Sequence, residues 1–139
     1  MLRSLAILSA CLRFCSSNCS STADVGGAGV GVGAGGGVIT DITGYVAGIY
    51  LRGVRFGFVP TSVLSMVDAA IGGKNGIDVG AYKNMVGLIR QPEFLLYDYS
   101  FLKSLPKEEW VNGFAEIIKH ASIKDAAMFR ELESTSLKK

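Results

Sequence analysis

From Val25 to Gly37 glycine alternates with small apolar residues, and the tract closes on Gly35-Gly36-Gly37-Val38-Ile39-Thr40-Asp41. This constrains the fold more than any other feature. A strand made largely of glycine has few side chains to bury and specifies its register weakly, so by composition alone the tract reads as a flexible linker. The triple glycine also lets backbone amides approach a pyrophosphate without Cβ obstruction. The helix-compatible run that follows supplies an N-terminal dipole suited to phosphate. Because a plain strand-to-helix turn uses the same residues, the downstream pattern has to decide.

Downstream, Val38, Ile39, Ile42, Tyr45, Val46, Ile49 and Tyr50 recur at helical spacing as far as Arg52, and Gly53 supplies the stop. Val54, Phe56 and Phe58 alternate with Arg55 and Gly57, which predicts a strand ended by Pro60. Thr61 or Ser62 then caps a helix running toward Ile71. A further strand is expected around Glu93 to Asp98, and Pro106 opens a last helix whose dipole Glu108 and Glu109 complement. Such alternation predicts an α/β layer followed by a helical region. The last helix is apolar around most of its circumference from Trp110 to Ile123, so burial on more than one side is expected. Asn112, Glu116 and Lys119 nevertheless share one stripe, and the residues alone read as a Glu116–Lys119 ion pair.

Both charge signs are present and the formal net charge is only +2, which gives no reason to expect a nucleic acid or membrane partner. Residues 1–29 read as a separate segment. A short apolar run lies between Arg3 and Arg13, no acid precedes Asp24, and serines follow, in the manner of an organellar or secretory leader or of a non-homologous extension. Cys11, Cys15 and Cys19 recur every fourth position within it. Without a nearby fourth ligand they do not predict a structural zinc site or a disulfide framework.

The order and spacing of Gly35-Gly36-Gly37, Arg52-Gly53-Val54-Arg55-Phe56, Pro60-Thr61-Ser62, Asp68 to Lys74, Lys83-Asn84 and Gly113 to Lys119 closely resemble 3-dehydroquinate synthase, a sugar phosphate cyclase. The likeness runs from Val30 or Gly35 to about Glu133, roughly three-quarters of the chain but only the middle of a family member. It implies part of a Rossmann-like nucleotide-binding layer at 30–100, followed at 101–139 by the start of an α-helical metal-binding domain. It also implies NAD and a divalent metal, zinc or cobalt, as cofactors, a phosphorylated heptulosonate as substrate, a cytoplasmic setting and frequent homodimers. The implied reaction takes 3-deoxy-D-arabino-heptulosonate 7-phosphate to 3-dehydroquinate and phosphate in the shikimate pathway, with no turnover expected from these 139 residues alone. Related cyclases acting on other heptuloses, a non-catalytic remnant and, more remotely, a glycerol-dehydrogenase-like enzyme are the alternatives.

By the same resemblance, Gly36, Gly37, Val38 and Asp41 form the nucleotide loop, and Thr61, Ser62, Lys74, Lys83 and Phe101, Leu102, Lys103 and Ser104 adjoin the cofactor. Arg52, Asp68, Lys74, Asn84 and Lys119 belong to the substrate site. Their chemistry suits a phosphorylated polyol, since cations bind oxyanions while aspartate and asparagine orient hydroxyls. Glu116 is implied as one of three metal ligands, the other two being histidines farther downstream in the family. His120 is the only histidine here and is expected to take a local hydrogen-bonding or surface role. Thr40 stands where the family frequently has glycine and is expected to crowd the loop if that position needs unusual dihedrals. The glycine-weakened strand before it, with Val30, Val32 and Ala34 as its apolar remnant, is expected to anchor the loop badly.

Overall fold

The central strand β2, Arg55–Pro60, places Phe56 and Phe58 on one face, where both are buried with their ring centroids 5.3 Å apart. β2 pairs in parallel with β1, Val30–Gly35, on one side and with the short β5, Phe94–Leu95, on the other. These elements come from a computed structural model that describes residues 30–135, so the leader segment and its cysteines lie outside the described residues. Helix α1, Gly37–Ile49, connects β1 to β2 and packs on their sheet, where Ala47 joins Phe56, Phe58 and Ala70 in the core. Leu51 and Arg52 take left-handed backbone angles beyond it, and Gly53, at φ 111°, turns the chain into β2.

β1 differs from the expectation in facing and in anchorage. Its valines are exposed and its glycines point inward, because a Cβ at Gly33 would lie 2.7 Å from Thr43 Oγ1 and one at Gly35 2.7 Å from Ile39 Cβ. Glycine therefore lets α1 settle onto the strand. Register is not lost, since Val30 to Gly35 pair residue for residue with Arg55 to Pro60, and the Thr61 amide adds a 2.9 Å bond to Gly35 O. Thr40 also departs from expectation. It lies in the first turn of α1 with ordinary helical backbone, is fully buried and donates from Oγ1 to Gly37 O at 2.7 Å.

After β2, Ser62 caps a helical turn by accepting the Ser65 amide at 3.3 Å, and Ser65 Oγ accepts the Ser62 amide at 3.1 Å. The helix expected toward Ile71 widens into a π segment, Ser65–Ala69, marked by the Ala70 amide bonding to Ser65 O at 3.0 Å. An antiparallel hairpin then follows that the periodicity did not reveal: β3, Lys74–Val79, and β4, Tyr82–Ile89, with Gly80 at positive φ in the turn. The hairpin docks on α1 through small residues. Leu88 sits against Gly48, and the buried Asn75 sits against Gly44 while donating from Nδ2 to Gly73 O and Arg90 O, both at 2.9 Å.

The strand expected at Glu93 to Asp98 shortens to β5, and Tyr99–Ser104 forms a 3-10 helix capped by Asp98. Helix α2, Lys107–Lys124, meets the α/β layer at Gly113, where a Cβ would lie 2.9 Å from Leu64 N. Only Gly113 and Ala121 are buried along it. Val111, Ile118 and Ile123 are exposed, contrary to the expectation of burial on several sides. Helix α3, Ala126–Ser134, follows after Asp125 caps it. Among the described residues no helix is long and apolar enough to cross a membrane.

Gly44→Ala tests the α1–hairpin contact. Alanine gains about 1 kcal/mol of helix propensity, but its Cβ collides with the hydrogen-bonded Asn75 amide, and overpacking costs about 1–3 kcal/mol. Urea unfolding is expected to show a net loss of about 1 kcal/mol. A stabilised variant would show that Asn75 is free to move aside.

Candidate functional site

Four of the sequence-derived site residues converge on one cleft of about 500 Å³, whose lining includes Asp41, Asp68, Lys74 and Asn84. Each comes from a different element. Asp41 stands in the second turn of α1, Asp68 on the π segment, Lys74 at the start of β3, and Asn84 on β4. The position of Asn84 has a local cause. Ile77 pairs with Val86 and Val79 with Tyr82, so Lys83, Asn84 and Met85 together stand opposite Asp78 in a bulge. Asn84 takes φ 53°, which asparagine tolerates better than most residues, and its amide donates to Asp78 Oδ1 at 2.9 Å. Asn75 also lines the cleft. Sequence reasoning missed it, and the only available signal was a lone asparagine beside Lys74 and Gly76.

The nucleotide loop lies at the C-terminal ends of β1 and β2, where Gly36 O accepts the amides of Ile39 and Thr40 as α1 begins. No side chain caps this helix and no acid lies in its first turn. The leading amides of α1 are thus left with the positive end of its dipole, a setting suited to an anion. Ser62 adjoins this loop, since a Cβ at Gly36 would stand 3.5 Å from Ser62 Oγ. The Ser62 hydroxyl is buried and occupied with Ser65, at 3.0 Å between the two oxygens.

Asp41 is half-buried, and its pKa is pushed up to about 6, first by desolvation and then by the like charges of Asp68 and Asp78. On α2, Glu116 forms an ion pair with Lys119, as the residues alone suggested, and this partner holds the Lys119 ammonium above its ordinary pKa. Ligand atoms of Asp68, Glu116 and His120 lie within 4.8 Å of one another. The remaining candidates do not line the cleft. Arg52 is exposed on its left-handed turn, Lys83 is exposed in the bulge, and Phe101, Leu102, Lys103 and Ser104 occupy the 3-10 helix, where only Leu102 is half-buried. A second hollow of about 570 Å³ between α2 and α3 contains none of the expected site residues.

Residues 17–112 match the family described as 3-dehydroquinate synthase N-terminal. The pentafunctional AROM polypeptide of Eremothecium gossypii is 54% identical over 99 residues and that of Yarrowia lipolytica 53% identical over 102, covering 71% and 73% of this chain. The chain spans only 6% and 7% of those relatives' lengths. A 2-epi-5-epi-valiolone synthase from Streptomyces hygroscopicus subsp. jinggangensis, solved with NAD+ and Zn2+ bound, aligns at TM-score 0.71 and 40% identity over 73% of this chain and 28% of that one. A 2-deoxy-scyllo-inosose synthase complexed with carbaglucose-6-phosphate, NAD+ and Co2+ aligns at TM-score 0.62 and 30% identity, covering 64% of this chain and 25% of the other.

The raised Asp41 pKa sets a stability profile. Between its ordinary 3.8 and about 6 the folded chain holds a proton that the unfolded chain has released. Stability from this group is therefore greatest below that window and falls as pH rises through it. Urea unfolding at several pH values across the window should show a shallower decline for Asp41→Asn than for the parent chain. Equal slopes would mean that the carboxyl ionises in the folded chain as it does in water.

Proposed function

Because this chain belongs to the 3-dehydroquinate synthase family, we propose that it carries the nucleotide-loop and cleft portion of a cyclase acting on 3-deoxy-D-arabino-heptulosonate 7-phosphate. The observation that carries this reading is the convergence of Asp41, Asp68, Lys74 and Asn84 on one cleft. The cleft adjoins a glycine-rich, uncapped helix start, for a Cβ at Gly37 would stand 3.5 Å from that of Ala69, another cleft residue. The residues fit a dinucleotide. Gly36, Gly37 and Val38 present backbone at the positive end of α1, where no Cβ on the first two stands between a pyrophosphate and the chain.

The cleft divides its work by charge. Lys74 supplies a cation for an oxyanion, Asp68 and Asn84 accept from or donate to hydroxyls, and Asp41 exchanges a proton near neutral pH. NAD supplies reversible hydride acceptance when bound. Glu116 would offer an oxygen ligand to a divalent metal, and the chemistry such an ion would supply is Lewis acidity toward a substrate oxygen. Lys119 sits beside that carboxylate and balances its charge.

A second reading, a cyclase for another sugar phosphate, draws support from the valiolone synthase alignment. Calorimetric titration of each candidate sugar phosphate into the NAD+-saturated chain separates the two readings, the tighter-binding sugar phosphate identifying the substrate class. No turnover is expected from this chain alone, and metal-dependent phosphate release from it would overturn that expectation.

Gly36→Asp tests the nucleotide loop. Gly36 has extended backbone at φ −77° that any residue adopts, and aspartate there is a better N-cap than glycine by a few tenths of a kcal/mol. Its charge opposes a pyrophosphate. Calorimetric titration is expected to show NAD+ binding weakened about tenfold or more, while the unfolding midpoint holds or rises. Unchanged affinity in the variant, or no NAD+ binding by the parent chain, would remove the nucleotide role.

A further inference from the structure

We propose that Asn75 is a positioning residue for Lys74, its buried side-chain amide pinning the open end of the hairpin so that the Lys74 ammonium meets the phosphate of a sugar phosphate in the cleft. The proposal deepens the cyclase reading, on which the role of Lys74 rests. Asn75 enters through the structure alone, as a polar residue only 3% exposed next to an exposed lysine.

The amide bridges the two strands at their cleft end. Nδ2 donates at 2.9 Å to Gly73 O, just before β3, and at 2.9 Å to Arg90 O, just after β4. Gly73 and Arg90 face each other one step beyond the Lys74–Ile89 pair, and the Arg90 amide adds a 2.8 Å bond to Gly73 O. Two carbonyls at one end of the side chain settle which end is the nitrogen, and both of its hydrogens are used. The same side chain lies against Gly44 of α1, so Asn75 ties both strands to each other and to the helix.

Side-chain pairing alone would hold this hairpin poorly. Gly76 pairs with Gly87, the register shifts between Ile77 and Val79, and β4 is exposed along nearly all its length. Strands of this kind specify their register weakly. Successive side chains leave a strand on opposite faces, so a slip of one residue would exchange the faces of Asn75 and Lys74. Among the described residues the Lys74 ammonium makes no ion pair. Its direction is therefore set by backbone, which turns into β3 at Gly73, φ 65°, and is fixed there by the Asn75 amide. Held in this way, Lys74 lines the cleft with Asp41, Asp68 and Asn84.

A double-mutant cycle tests whether Asn75 acts through Lys74. 3-Deoxy-D-arabino-heptulosonate 7-phosphate is titrated calorimetrically into the NAD+-saturated full chain, into its Lys74→Ala and Asn75→Ala variants, and into the double variant. Asn75→Ala is expected to weaken binding about tenfold when Lys74 is present. Once Lys74 is alanine, the same change should cost less than about twofold, because no ammonium is left to position. Undiminished affinity in Asn75→Ala, or a loss that persists without Lys74, would overturn the proposal. Hydrogen exchange without ligand reads the bridge itself. The Arg90 amide is expected to exchange about tenfold faster in Asn75→Ala, and unchanged protection there would also overturn the proposal. Far-UV circular dichroism checks that the variants fold, and Asn75→Ser takes the same measurements if the alanine chain does not. A parent chain that does not bind the sugar phosphate discards the cyclase reading and the role of Lys74 with it. Binding by the parent with unchanged Arg90 protection in the variant keeps that reading and discards the role of Asn75.

Discussion

The close approach of α1 to the elements on either side of it governs the rest of the structure. Gly33 and Gly35 let the helix settle onto β1, and Gly44 and Gly48 let Asn75 and Leu88 of the hairpin settle onto the helix. Glycine costs about 0.5–1 kcal/mol of backbone entropy at each ordered position. Here that cost is offset by packing that larger residues would block. The parallel ladder to β2 and the buried Phe56 and Phe58 fix the sheet beneath. A tract without bulky side chains thereby becomes an ordered strand, and the helix start beyond it is held at the end of the sheet.

The site inherits its electrostatics from that packing. Asp41 is carried by α1, Asp68 by the π segment and Asp78 by the hairpin, so docking three separate elements brings the carboxylates of Asp68 and Asp78 within electrostatic range of Asp41. Lys74 and Lys119 supply nearby cations, but Asp41 is left half-buried with a raised pKa. Groups held in this way cluster at functional sites because a pKa near neutral serves proton exchange. The left-handed Asn84 fits the same pattern, since a bulge places a polar side chain on the cleft at some local backbone cost.

Much of the fold was legible. Alternation around Phe56 and Phe58 identified β2, helical spacing identified α1, and Pro106 with its following acids identified the start of α2. The buried stripe of α1 was not legible. The periodic residues Val38, Ile39 and Ile49 remain exposed, while Thr40, Gly44 and Ala47 are buried, because close packing against the sheet and the hairpin's Asn75 admits small residues on that face. The hairpin was missed for a related reason. β4 is exposed along nearly all its length and bulged in the middle, so it lacks the half-buried alternation that betrays a strand.

The amino-acid sequence by itself determined the family, through residue types at fixed spacings. It also determined the capacity of the Gly35 to Gly37 run to begin a helix with free amides, because glycine chemistry and the start of a helical period are local properties. Only the tertiary structure decided which candidates meet. Asp41, Asp68, Lys74 and Asn84 share a cleft, while Arg52, Lys83 and Phe101 to Ser104 stand away from its lining. His120 likewise acquired its neighbours through the packing of α2 on Val63 and Leu64 at Gly113, which brings α2 to the π segment that carries Asp68. Spacing along one helix fixes which side chains share a face, but the group opposite that face is set by a contact between segments distant in sequence.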